Sequence, residues 1–245
     1  MSISVVSSVS EPDEIRPPEA LSPNRRPIQS FVLRQGRMTV AQTRALERLE
    51  PVYGLAGDQP VDPSALFGRC APLIVEIGFG NGESLALQAT AAPDKDFIGI
   101  EVHKPGVGHL LLEIERRQLG NIRVYRGDAV DYLRHRLPEG SLHGINLFFP
   151  DPWHKKKHHK RRLVNPDFIA LVATKLQSGG YIHLATDWQD YAEQMVSVLE
   201  ACPSLLNTAR SGSFIERPDQ RPPTKFEQRG QRLGHGVWDI LYSKV

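Results

Sequence analysis

The chain has 245 residues, of which 40% are hydrophobic and 24% charged, with two cysteines. At about 150 residues per domain this is one large domain with an extension, and the composition excludes wholesale disorder. No apolar run approaches the roughly 18 residues needed to cross a bilayer, Met1 to Ser10 lacks the basic start of a secretory signal, and Cys70 and Cys202 alone make neither a disulfide framework nor a zinc site, so a cytoplasmic protein is expected.

The formal net charge of +2 hides an uneven distribution. Lys155-Lys-Lys-His-His-Lys-Arg-Arg162 holds six positive charges in eight residues and no acid. The other 237 residues carry 24 basic and 28 acidic groups. A slightly acidic body with one dense basic segment suits a partner rich in phosphate.

In chain order, residues 1–28 are rich in Ser, Pro and Glu and read as a disordered tail. Residues 29–71 form an N-terminal extension with a helical pattern over Thr39–Leu49, then a loop of Gly, Pro and Asp from 54. From 72 to 245 the pattern is that of a single core. Strands are expected at Leu73–Ile77, Phe97–Val102, Ile122–Tyr125, Gly144–Phe149 and Gly180–Thr186. Helices are expected between them at Gly82–Ala92, Pro105–Leu119, Asp131–Leu137 and Asn165–Leu176, and then at Tyr191–Cys202. Two further strand-like pieces lie at Phe214-Ile215 and Val237–Tyr242, with too short a link for a crossover helix. The alternation predicts an α/β fold: a doubly wound, mostly parallel Rossmann-like sheet covered on both faces, with an antiparallel pair at its C-terminal edge.

Each of the first five strands ends on a carboxylate: Glu76, Glu101, Asp128, Asp151 and Asp187. In a parallel sheet these ends share one edge, where ligands bind. Singly, each acid could simply cap a helix N-terminus; five in order, with a glycine loop after the first, point to a ligand crevice. The loop Gly78-Phe-Gly80-Asn-Gly82 allows a sharp turn and close ligand approach, but it lacks the third glycine of the dinucleotide fingerprint, which disfavours a dehydrogenase. Glu101 is placed to take two ribose hydroxyls, and Asp128 suits an adenine edge. That set describes an adenosyl ligand.

The loop, Glu101 and Asp128 resemble the cofactor site of class I S-adenosylmethionine-dependent methyltransferases. Further stretches are more specific: Ser30–Arg37, Phe148-Phe-Pro-Asp-Pro-Trp-His-Lys155, the basic run to Arg162, Leu184-Ala-Thr-Asp-Trp188 and Thr224-Lys-Phe-Glu227. From about residue 26 to 245 the chain resembles the bacterial tRNA (guanine-N7)-methyltransferases. The resemblance implies methylation of guanine N7 in the tRNA variable loop, giving 7-methylguanosine, by an RNA-binding transferase of tRNA processing. It places the cofactor at Glu76, Gly78, Gly80, Gly82, Glu101, Asp128 and Asp151. It places the substrate at Lys155, Asp187, Thr224, Lys225, Phe226 and Glu227. It carries Lys157, His158, His159, Lys160, Arg161 and Arg162 over as RNA contacts. The expected partner is tRNA, with no membrane and no obligatory protein partner, as a monomer or homodimer.

Guanine N7 has a lone pair and no proton, so positioning and a negative charge near the developing cation are what help. Asp151, stiffened by Pro150 and Pro152, is the candidate catalytic group; it is otherwise a turn residue. Asp187 or Glu227 would accept hydrogen bonds from the guanine N1 and amino group, and residues alone leave the choice open. Trp153 reads equally as a base-stacking platform or as core. His154, His158 and His159 lack an acid or cysteine to complete a metal set, so no metal is expected. Cys70 and Cys202 read as buried fillers. The competing readings are an RNA methyltransferase with a different acceptor atom and a non-catalytic RNA-binding protein of the same fold.

Overall fold

The computed structural model describes residues 30–31, 36–209, 212–223, 227 and 236–245. The expected tail over 1–28, residues 32–35 of the Ser30–Arg37 stretch, and Thr224, Lys225 and Phe226 lie outside the described residues.

The elements run α1 (Val40–Tyr53), α2 (Pro63–Phe67), β1 (Leu73–Ile77), α3 (Glu83–Ala91), β2 (Asp96–Glu101), α4 (Lys104–Arg117), β3 (Ile122–Arg126), α5 (Ala129–Arg136) and β4 (Leu142–Phe148). A single 3-10 turn (Lys156–Arg161) follows, then α6 (Pro166–Lys175), β5 (Leu176–Thr186), α7 (Gln189–Glu200), β6 (Leu205–Asn207) and β7 (Trp238–Lys244). The starts are set locally. Thr39 caps α1 in a reciprocal capping box with Gln42. Asn165 caps α6, with Pro166 at the first turn.

The seven strands order as β3-β2-β1-β4-β5-β7-β6. β1 to β5 pair in parallel, and β7 runs antiparallel to both β5 and β6. The reversal of strand order between β1 and β4 opens the crevice. Strand alternation feeds two cores. Leu73, Val75 and Ile77 of β1 point to one face, packed with α5, α6 and α7, whereas Ile74 points to the other, packed with α1, α3 and α4.

The differences from expectation are informative. The edge pair is present, but its short member is Leu205–Asn207; Ile215 contributes only an isolated bridge to Asp239. Three residues carry too little pattern to announce a strand. β5 begins at Leu176, ahead of Gly179-Gly180, because Leu142 pairs with Leu176 across an irregularity that no local turn signal reveals. α1 runs past its expected end and through Pro51. The expected loop after 54 carries α2. Cys70 is exposed and Cys202 half-buried, so neither is the buried filler expected.

Candidate active site

The C-terminal ends of β1, β2, β3 and β4 surround a cavity of about 420 Å³, within the range of about 300–1,000 Å³ usual for small-molecule sites. Gly78, Gly80, Glu101, Asp128, Phe148, Phe149 and Asp151 line it, with Ser30 and Phe31 at its rim. A second cavity of about 600 Å³ shares Gly78, Gly80, His103, Phe148 and Phe149 and reaches Glu76 and Pro223. Three acids of the expected ladder, Glu101, Asp128 and Asp151, therefore meet at one cavity and Glu76 at the adjoining one, whereas Asp187 lines a separate cavity.

The glycine loop has the backbone its residues allow. Gly78, Gly80 and Gly82 have φ of 70°, 60° and 75°, the left-handed region that costs glycine little. A Cβ on Gly78 or Gly80 would have nothing within 4 Å. Both therefore leave open space at the cavity wall, room for a ligand to approach the backbone closely. The Gly80 N–H donates to Glu101 Oε2 at 2.9 Å, and the Val102 and His103 N–H groups donate to Oε1 at 2.7 and 2.9 Å. A carboxylate offers about four acceptor positions. Three are occupied, so Glu101 has one left on Oε2 and not the two expected for a pair of ribose hydroxyls. Asp128 caps α5 through Oδ1, accepting from Val130 and Asp131 at 2.8 and 3.2 Å. The capping and ligand readings are thus compatible, because Oδ2 remains.

Glu76 lies buried beneath the loop. Gln88 Nε2 donates to it at 2.6 Å, and Asn146 Nδ2 donates to Gln88 Oε1 at 2.9 Å. Burial pushes the Glu76 carboxyl up to about 7, with the Gln88 hydrogen bond pulling the other way. Its folded value is above its unfolded one, so the native state holds the extra proton between about pH 4.5 and 7. Stability therefore falls as pH rises through that window, by about 3 kcal/mol, and levels off above it. Thermal melts across this range should show Glu76→Gln losing that slope; an identical slope in the variant would place the titration elsewhere.

The β4 end is strained. Phe149 and Trp153 have φ of 54° and 48°, rare for side-chain-bearing residues. They flank Pro150-Asp151-Pro152, so the corner is held against local preference by packing. Phe149 N–H donates to Ala185 O at 2.7 Å. Asp151 is exposed at the cavity and has no hydrogen-bond partner among the described residues. Trp153 is half-buried, with its Nε1 on Ser30 O at 3.2 Å and the Arg161 guanidinium 3.9 Å above its ring. It is neither core nor an open stacking face.

The basic run divides into two sets. Lys155, Lys156, Lys157 and Lys160 are exposed. Arg162 is buried: it donates to Pro152 O at 2.8 Å, Gln194 Oε1 at 2.6 Å and Asp190 Oδ2 at 2.5 Å, and stacks over Tyr191. Its expected RNA contact is corrected to a structural one, because its donors are already engaged inside the protein. His158 is held below the usual imidazole range by local desolvation and then by its Lys and Arg neighbours. His159 faces Asp190 at 4.0 Å. Among the described residues no group of three or more His, Cys, Asp or Glu side chains could hold a metal ion.

The two guanine-reading candidates also separate. Asp187 is half-exposed and lines a cavity of about 480 Å³ with Trp188, Asp190 and Trp238. Glu227 is buried, and Arg221 donates to both its oxygens. Of the two candidates left open by the sequence, Glu227 is turned inward onto Arg221 and Asp187 is the one open to a cavity.

The family described as "Putative methyltransferase" matches residues 70–240. The chain is similar to the tRNA (guanine-N(7)-)-methyltransferase of Methylococcus capsulatus, with 61% identity over 91% of this chain and 96% of the relative. A relative of the same name from Alkalilimnicola ehrlichii is 59% identical over 90% and 94%. The chain belongs to the tRNA (guanine-N(7)-)-methyltransferase family. Its fold is similar to that of the 16S rRNA methyltransferase KamB, with a TM-score of 0.55 at 13% identity over 79% of this chain and 98% of that one. The methyl donor of the family is S-adenosylmethionine, and the glycine cradle, Glu101 and Asp128 fit its adenosyl part.

Some residues of this family member's site escape sequence reading. Gln88 links Glu76 to Asn146 of β4, and the hint in the sequence is an amide within an apolar strand run. Arg221, Asp239 and His183 form a buried polar cluster around the end of β4 that no local pattern announces.

Proposed function

We propose that this enzyme transfers the methyl group of S-adenosylmethionine to N7 of a guanine in the variable loop of tRNA. The observation that carries the reading is the exposed carboxylate of Asp151, set on a strained corner between the cofactor cavity and the exposed lysines. When bound, S-adenosylmethionine supplies an electrophilic methyl on a sulfonium. The donor would give up this methyl to N7 with its sulfur leaving as a neutral thioether, so that the positive charge would pass to the purine. No proton leaves N7, so no general base is required. Asp151 meets the growing charge in a prearranged position. Gly78 and Gly80 cradle the donor, Glu101 and Asp128 orient its adenosyl part, and Asp187 reads the guanine N1 and amino edge.

Lys155, Lys156, Lys157 and Lys160 hold the RNA backbone. Four phosphate contacts correspond to a log-affinity versus log-salt slope of about −3 to −4. Replacing the four lysines by alanine should flatten the slope of tRNA binding toward zero; an unchanged slope would move the RNA path elsewhere. Arg162→Ala should instead lower the melting temperature, because it strips Asp190 and Tyr191 of their partner.

We further propose that the protein works in the cytoplasm as a monomer or homodimer, without another protein, since one chain supplies both cavity and carboxylates. No helix among the described residues is long and apolar enough to cross a membrane. The deciding experiment supplies labelled S-adenosylmethionine with an unmodified tRNA transcript and its 7-deazaguanine counterpart. Label should enter the first alone; equal label in both would exclude N7.

A further inference from the structure

A buried ion network lies behind the crevice and has no part in the chemistry above. Arg221 sits in the segment between Ile215 and β7, with its side chain wholly out of solvent. Its guanidinium grips two carboxylates. Nε and Nη2 donate to Asp239 of β7 at 2.6 and 2.7 Å, and Nη1 and Nη2 donate to Glu227 at 2.7 and 3.2 Å. His183 of β5 meets Asp239 Oδ1 through Nε2 at 2.8 Å. Burial disfavours a charged Asp239, but the hydrogen bonds from His183 and Arg221 outweigh it and hold the carboxyl below its usual range. Two carboxylates around one cation need the planar fork of arginine.

The network reaches the reaction through aromatic packing. The guanidinium carbon lies 5.7 Å from the ring centres of both Phe148 and Phe149. The Phe148 ring also stands edge-on to His183, 5.0 Å away. Those two phenylalanines wall both cavities and lead directly into Pro150-Asp151. Phe149 carries a φ of 54° that its own chemistry does not favour. One side chain thus ties together the sheet edge, Glu227 and the end of β4.

We infer that Arg221 is a positioning residue for methyl transfer: clamped by Asp239 and Glu227, it holds the Phe148–Phe149 shoulder, and with it Asp151, in the reactive position, and Glu227 serves the reaction through Arg221 and not by touching guanine. The inference rests on the guanine-N7 reading above. It accounts for the contrast between the two candidate base readers, since Asp187 is open to a ligand and Glu227 is committed inward.

The test compares the full-length wild type, Arg221→Lys and Glu227→Gln on tRNA transcripts carrying guanosine or inosine at the target. Inosine lacks the 2-amino group that a base-reading carboxylate would hold. Cofactor titration counts competent sites, so single-turnover rates are expressed per site. A merely structural defect would lower the number of competent sites and leave the rate of each unchanged. Arg221→Lys keeps the charge but not the fork, and should lower the rate per site at least tenfold with the tRNA Kd within twofold. Glu227→Gln should slow both transcripts in proportion, leaving the guanosine-to-inosine ratio within twofold of wild type. A wild-type rate per site in Arg221→Lys, or a collapse of that ratio in Glu227→Gln, overturns the inference. If Arg221→Lys yields no competent sites, Glu227→Gln decides: slowing of both transcripts in proportion supports the inference, and a wild-type rate or a changed ratio overturns it. A wild type inactive on the guanosine transcript overturns the reading of the reaction; an active wild type with unaffected variants overturns only the positioning role.

Discussion

Asp151→Ala is expected to lower the single-turnover rate between about 30-fold and 700-fold while changing cofactor affinity little. The range follows from electrostatics. A carboxylate ~4 Å from a full unit charge, at an effective dielectric near 20, is worth about 4 kcal/mol. Only part of that charge has developed on the purine in the transition state, so about 2 kcal/mol is the lower end, and each 1.4 kcal/mol is tenfold in rate. In the proposed function the donor is held mainly by the glycine cradle, Glu101 and Asp128, which line the cavity and which alanine at 151 leaves in place. Asp151→Asn should behave like alanine, because it keeps the shape and loses the charge. The measurement is the single-turnover rate at saturating tRNA and S-adenosylmethionine, beside a cofactor titration. A saturated rate equal to wild type in both variants would remove Asp151 from the chemistry.

Gly106→Ala is expected to weaken cofactor binding by at least tenfold and to lower the melting temperature by about 2–12 °C. Gly106 lies in the first turn of α4, packed against the glycine loop. A Cβ there would stand 2.0 Å from the Gly80 carbonyl oxygen and 3.0 Å from its carbon. Both are backbone atoms, so no side-chain rotation relieves the clash. The loop must move, and Gly80 is the residue whose N–H holds Glu101 Oε2. Overpacking of this kind costs about 1–3 kcal/mol, and each kcal/mol shifts the midpoint by roughly 2–4 °C in a chain of this size. Gly120→Ala is the control, because a Cβ there would have nothing within 4 Å. If Gly106→Ala binds cofactor as tightly as Gly120→Ala, the close approach does not shape the site.

The outcome for the acids shows how far local pattern reaches. Glu101, Asp128 and Asp151 were found at strand ends because a strand followed by a helix is legible from periodicity, and parallel topology then aligns the ends. The same reasoning overcounted the free acceptors of Glu101, since the backbone donors from Gly80, Val102 and His103 follow the turn geometry and not the residue type. The family resemblance marked Arg162 and Glu227, but did not tell inward from outward. Each is buried by partners on other elements: Asp190 and Gln194 for Arg162, and Arg221 for Glu227.

By itself, the sequence determined the alternating α/β order, the crevice edge and its ladder of carboxylates, and the presence of a dense basic segment. These rest on spacing and residue type over one or two elements. Tertiary structure alone decided that Leu205–Asn207 flanks β7, that Gly106 must lack a side chain, that four lysines remain available to RNA, and that Arg221 stands behind Phe148 and Phe149. Each of those depends on a contact between residues far apart in the chain. The free energy of burying a charge or admitting a Cβ is set by whatever the fold places opposite it.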